Sequence, residues 1–151
     1  LGGAAMSPGV LVASPSRGAG TNQTFSFSFT DTRGYQDLGI VDIIVNDALD
    51  GAHACYLAYS RPLNVLYLLN DAGTTLLQGI QPGGPGIVAN SQCSVNGALS
   101  SVTVGGTTLT LNLNLSFTPS FSGNQIIFLA ARDITDANNS GWQASGTWTV
   151  Q

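Results

Sequence analysis

Few residues in this chain are equipped for chemistry. The charged set is eight Asp and four Arg, with one His and neither Lys nor Glu. Without lysine there is no Schiff base, no phosphate-loop ammonium and no isopeptide crosslink. Glutamate acid–base chemistry is absent too. His53 is the sole base for a Ser-His-Asp triad, and it sits in Asp50-Gly51-Ala52-His53, a loop or strand start. No Gly-x-Ser-x-Gly elbow accompanies it. No two Asp are marked as a pair flanking a glycosidic bond. Asp31-Thr32-Arg33-Gly34 lacks the second copy an aspartic protease would need, and Gly83-Gly84-Pro85-Gly86 lacks the Lys and following helix of a phosphate cradle. The expectation is a protein that is not an enzyme and carries no cofactor.

Metal and ligand chemistry leave more room. One His and no Cys-x-x-Cys exclude a structural zinc site. Asp31, Asp37, Asp133 and Asp136 fall in two loops, with Asn138 and Asn139 adding amide oxygens. Calcium takes six to eight oxygens of this kind, so a weak calcium site is one reading. The plainer one is that these are turn residues at strand ends. Tyr56, Tyr59, Tyr67, Trp142 and Trp148 are of the type that stacks on sugar rings, and Asn and Gln suit sugar hydroxyls. The plainer reading places Trp148 in the core and the tyrosines at half-buried strand positions. Sequons at Asn22, Asn114 and Asn138 are formal glycan attachment points of a type that also arises by chance. Cys55 and Cys93 form a disulfide in an oxidising compartment or stay as buried thiols in a reducing one. The secreted-looking composition favours the bond, worth about 4 kcal/mol in the chain-entropy picture.

The elements that position these groups are strands. Phe25, Phe27 and Phe29 alternate with Ser26, Ser28 and Thr30, and Leu109, Leu111, Leu113, Leu115 and Phe117 alternate with polar residues. This period of two marks strands with one buried and one wet face. Ile40 to Val45, Ala54 to Tyr59 and Val65 to Leu69 are denser, as in strands covered on both sides. Ile126 to Ala131 and Thr147 to Val150 complete the main set, with shorter pieces at Ile87 to Ala89 and Ser101 to Val104. Asn70-Asp71-Ala72-Gly73 and Gly105-Gly106 read as turns. No stretch keeps a helical period. About nine short-linked strands predict a sandwich.

Composition sets outer bounds. The length, 151 residues, suits one domain with a real core. No run approaches the ~18 apolar residues of a membrane helix, and Leu1 to Val12 has no basic start typical of a signal peptide. A net charge of −4 with four Arg argues against nucleic acid. Residues 1–22 stand apart. Leu1 to Ala13 is apolar, and Ser14 to Asn22 has the composition of a flexible linker. Val10 to Ala13 is either the first strand of its own domain or an arm that pairs with a neighbour. The division expected is therefore an arm and linker over 1–22 and a sandwich over 23–151.

Three stretches resemble bacterial immunoglobulin-like repeats of secreted and cell-surface proteins. They are Thr24 to Asp31 with Gly34, Asp37, Leu38 and the strand to Val45; Leu109 to Phe117 with Pro119, Phe121 and Gly123; and Phe128 to Asp133 with the turn to Ser140 and Trp148 to Val150. Their order is similar to strand B, the B–C loop, strands E and F, and strand G. The resemblance implies an all-β, immunoglobulin-like sandwich with an inserted hairpin region (Ala54 to Ser101) and an N-terminal extended arm. It departs from the ordinary pattern in its cysteines, which do not fall on strands B and F. A looser resemblance to strand-donating pilin subunits implies assembly through the arm. The resulting expectation is a non-enzymatic extracellular structural protein, a head-to-tail homopolymer joined by strand donation through Met6, Val10, Leu11 and Val12. The alternative is a carbohydrate-binding or spacer module of a larger secreted protein.

Overall fold

The computed structural model describes residues 8–151. Ten strands run in order among them: β1 (Pro8–Ser14), β2 (Asn22–Asp31), β3 (Leu38–Asn46), β4 (Cys55–Ser60), β5 (Val65–Leu68), β6 (Ile87–Ala89), β7 (Cys93–Gly105), β8 (Thr108–Phe117), β9 (Gly123–Asp133) and β10 (Gln143–Val150). They form two sheets, ordered β1-β2-β8-β7-β6 and β10-β9-β3-β4-β5. Every adjacent pair is antiparallel. The chain is an all-β sandwich.

The alternating runs build the core. Phe25, Phe27 and Phe29 pair across the ladder with Leu113, Leu111 and Leu109. All six are fully buried and face Ile43, Leu57 and Leu129 of the second sheet. Burying side chains of this size stabilises the fold by about 1.5–3 kcal/mol each. β3 is buried along nearly its whole length, as its dense sequence predicts. β5 differs. It alternates between buried Leu66 and Leu68, which face the core, and half-buried Val65 and Tyr67, which pack against Gly79 on the other face. β7 begins eight residues before the expected Ser101. Its register with β8 breaks between Asn96 and Ser101, and that irregularity masks the pattern.

The N-terminal segment departs most from expectation. β1 pairs with β2 of its own chain, from Pro8↔Asp31 to Ser14↔Ser26, with a bulge at Leu11. Ala13 is fully buried and Val10 packs on the core, while Leu11 and Val12 are exposed. In the single chain the strand thus sits at home, where the expectation seated it on a neighbour. Met6 lies outside the described residues. The supposed linker is also ordered. After a cis Ser14–Pro15 bond the chain crosses to the other sheet and runs parallel to β10. Thr147 N donates to Ser16 O, Thr149 N to Gly18 O and Gly20 N to Thr149 O, each at 2.9 Å. Trp148 lies against Gly18, where a Cβ would come within 2.6 Å of the indole. Its Nε1 donates to Gly20 O at 3.0 Å. The glycine there provides close approach instead of slack.

Cys55 and Cys93 are joined in a disulfide across 38 residues, Cα–Cα 5.6 Å. Both are fully buried, one at the start of β4 and one at the start of β7, so the bond ties the two sheets together. Asn90 braces this end. Its Nδ2 donates to Ala54 O and Leu69 O, and its Oδ1 accepts from Gln92 N and Cys93 N. Among the described residues no helix is long and apolar enough to cross a membrane.

Candidate functional site

The outer face of the second sheet carries the most reactive geometry. β3 and β9 run side by side there, with Asp42 opposite Ala130 and Ile44 opposite Phe128. Ile44, Ala54 and Phe128 form a second apolar cluster outside the main core, with Tyr56, Ile126 and Trp142 packed on it. Trp142 arrives from the β9–β10 connection through Gly141, whose φ of 68° suits glycine. Its ring meets Tyr56 edge-on, centroids 6.1 Å apart at 72°. Gly51 lies under the Tyr56 ring, where a Cβ would come within 2.9 Å. The result is an open cleft of about 310 Å³ lined by Asp42, Tyr56, Ala130, Arg132, Asn139 and Trp142.

Two polar groups in this cleft are unmet. Asp42 is 7% exposed, and no described group donates a hydrogen bond to its carboxylate. Arg132 Nε is buried without a partner. Its nearest opposite charge is Asp42 Oδ2 at 3.9 Å, beyond hydrogen-bonding range. Arg132 Nη1 instead leans on Asp136, 3.4 Å from both carboxylate oxygens. Burial pushes Asp42 up to about 6; Arg132 opposes the shift and Asp136 adds to it. Burial likewise raises the Tyr56 phenol. A buried donor and a largely buried carboxylate, just too far apart to bond directly, leave room for a bridging hydroxyl.

The outer face of the first sheet is the opposite case. Ser26 Oγ donates to Asn112 Oδ1 at 2.6 Å, and Ser28 and Thr110 share a bond of 3.0 Å. Asn114 Nδ2 donates to Thr24 Oγ1, and Asn22 Nδ2 to Ser116 Oγ. The polar alternates of β2 and β8 thus satisfy one another across the ladder.

The residues singled out from the sequence fall in several places. Asp31 and Asp37 come together beside a short 3-10 turn, Tyr35–Asp37, and each has a buried Oδ2 with no partner. Burial, reinforced by the neighbouring Asp37 carboxyl, raises Asp31 to about 6 against the opposing bond from Arg33 N. Asp133 is separate. It accepts from Asn138 Nδ2 above all, and from Ala137 N and Thr135 Oγ1, which together hold its pKa low and close its own turn. Asp136 serves Arg132. The four acids therefore do not form one calcium set, and no three His, Cys, Asp or Glu side chains converge among the described residues. Asn114 is buried within the polar ladder, whereas Asn22 and Asn138 are exposed but hydrogen-bonded. Trp148 is core, edge-on to Phe25. His53 is exposed, and nearby Ser91 donates straight to Asp71 at 2.6 Å without an intervening His.

The chain matches no family model, no curated protein and no solved structure.

Sequence reasoning named Tyr56 and Trp142 but missed their partners Asp42 and Arg132. The signal was present: Asp42 is the one charge inside Ile40 to Val45. A charge inside a strand covered on both sides is desolvated, and such groups gather at functional sites.

Proposed function

We propose that the chain is a non-enzymatic, extracellular, immunoglobulin-like module that works by surface recognition. The observation that carries this reading is the change of sheet at Ser14-Pro15. The N-terminal segment lies first on β2 and then on β10, so it adds to both sheets within one chain. The strand order fits a variable-type arrangement, in which β1-β2-β8-β7 correspond to A-B-E-D and β10-β9-β3-β4-β5 to G-F-C-C′-C″. On this reading the Ala54 to Ser101 region supplies the C′–C″ hairpin and strand D. The buried disulfide supports an oxidising, extracellular compartment. Four Arg against eight Asp argue against a nucleic-acid partner.

A second reading, a filament subunit joined by strand donation, is favoured by one feature. β1 is an edge strand with Leu11 at 54% and Val12 at 48% exposure, and the chain has no Lys to guard its edges. An exchanged β1 would make the same ladder with a neighbour's β2. Sedimentation velocity of the intact chain separates the two readings. A single species near 15.5 kDa supports the module, and a concentration-dependent series of multiples supports the filament.

A further inference from the structure

We propose that the cleft between β3, β4, β9 and Trp142 binds an uncharged sugar ring, with Asp42 and Arg132 sharing one ring hydroxyl and Trp142 and Tyr56 packing on an apolar face. This deepens the recognition-module reading by naming its ligand class. The polar half of the argument is geometric. An oxygen placed about 2.8 Å from each group spans the 3.9 Å between Arg132 Nε and Asp42 Oδ2. A hydroxyl suits both ends, since it accepts from Nε–H and donates to the carboxylate. A carbonyl could only accept and an ammonium could only donate. The Asp42 side chain is 11% exposed and takes no hydrogen bond from the described residues, and Arg132 Nε is fully buried without a partner, so both groups face the cleft with bonding capacity to spare.

Charge narrows the class further. An anion reaching Arg132 would meet Asp42 and Asp136 on either side. A cation reaching Asp42 would meet the guanidinium. A neutral polyhydroxyl ligand meets neither penalty. The apolar half comes from the edge-to-face pair of Tyr56 and Trp142, seated on the Ile44, Ala54 and Phe128 cluster. Sugar C–H groups pack on such ring faces while hydroxyls point outward. A cleft of about 310 Å³ lies at the small end for ligand sites and suits one ring better than an extended chain.

The test uses the intact, disulfide-bonded chain and its two tryptophans. Indole N–H signals are followed by nuclear magnetic resonance during titration with methyl glycosides of glucose, galactose, mannose, fucose and N-acetylglucosamine. The Trp148 indole is bonded to Gly20 O, which makes it an internal control for folding. The expected result is a saturable millimolar shift of Trp142 with at least one glycoside while Trp148 stays still. Asp42→Asn should weaken that binding about tenfold or more, because a hydrogen bond to a charged acceptor is lost. Tyr56→Leu, read on the same signal, should weaken it while leaving Trp148 in place. A Trp142 signal unmoved by all five glycosides overturns the proposal. So does a shift that survives Asp42→Asn undiminished, or a larger response to acetate or phosphate, which would mark an anion site. Sedimentation of the same sample tests the module reading separately: a chain that polymerises while Trp142 responds sinks that reading and leaves the cleft standing.

Discussion

The two outer faces of this sandwich, one on the alternating strands β2 and β8 and the other on the denser β3 and β9, end in opposite states. On the β2–β8 face, Ser26, Ser28, Thr24 and Asn22 find partners directly across the ladder in Asn112, Thr110, Asn114 and Ser116. On the β3–β9 face, the largely buried Asp42 and the fully buried Arg132 Nε stand 3.9 Å apart without a hydrogen bond between them. The first arrangement spends its polar groups on itself and stabilises the fold. The second carries a desolvation cost within the fold and leaves its donor and acceptor unpaired with each other. Exposure of polar residues alone therefore does not single out a candidate binding surface; unpaired polar groups beside aromatic rings are the better guide.

The comparison can be broken or sharpened by substitution. The largest effect should come from removing the tie between the two sheets. Cys55→Ala with Cys93→Ala is expected to cost about 4 kcal/mol, a fall in Tm of roughly 10 °C for a chain this size, measured by calorimetry. Gly18→Ala should come next. The added Cβ collides with Trp148 at the edge of the second sheet without touching either outer face, so a loss of about 1–3 kcal/mol is expected in the urea midpoint. Smallest is Ser26→Ala on the satisfied face, expected to lose about 0.5–1.5 kcal/mol as one ladder bond goes. A double-mutant cycle with Asn112→Ala should recover a coupling of the same sign. If Ser26→Ala proved stabilising, the contrast between the faces would fail.

Much of this architecture was legible in the sequence, for a physical reason. Residues such as Phe25 to Phe29 and Leu109 to Phe117 sit on strands with one dry and one wet face, and period two records that directly. The strap at residues 16–20 was misread because glycine and serine signal slack and close approach alike, and only the indole of Trp148 decides between them. The start of β7 was hidden by its register break against β8. At the cleft, the aromatic half was visible as residue types. The pairing of Asp42 with Arg132 was not, since 90 residues separate them and only the β3–β9 ladder brings them together. The cysteine pair could be inferred from its even count, but not the fact that it joins opposite sheets.

The most direct test of the unmet Asp42 is the thermal stability of Asp42→Asn against the parent chain at about pH 7.5 and about pH 4.5. The folded-state pKa of Asp42 is raised from 3.8 to about 6. Its stabilising share is therefore present below 3.8 and is lost as pH rises through about 6. At the higher pH the parent keeps a desolvated carboxylate and Asn does not, so the variant should be the more stable by about 1–3 kcal/mol. At the lower pH, still above 3.8, the gap should shrink to about a third of that. A variant less stable than the parent at about pH 7.5 would mean that Asp42 is a satisfied structural charge, and the distinction between the two faces would not hold.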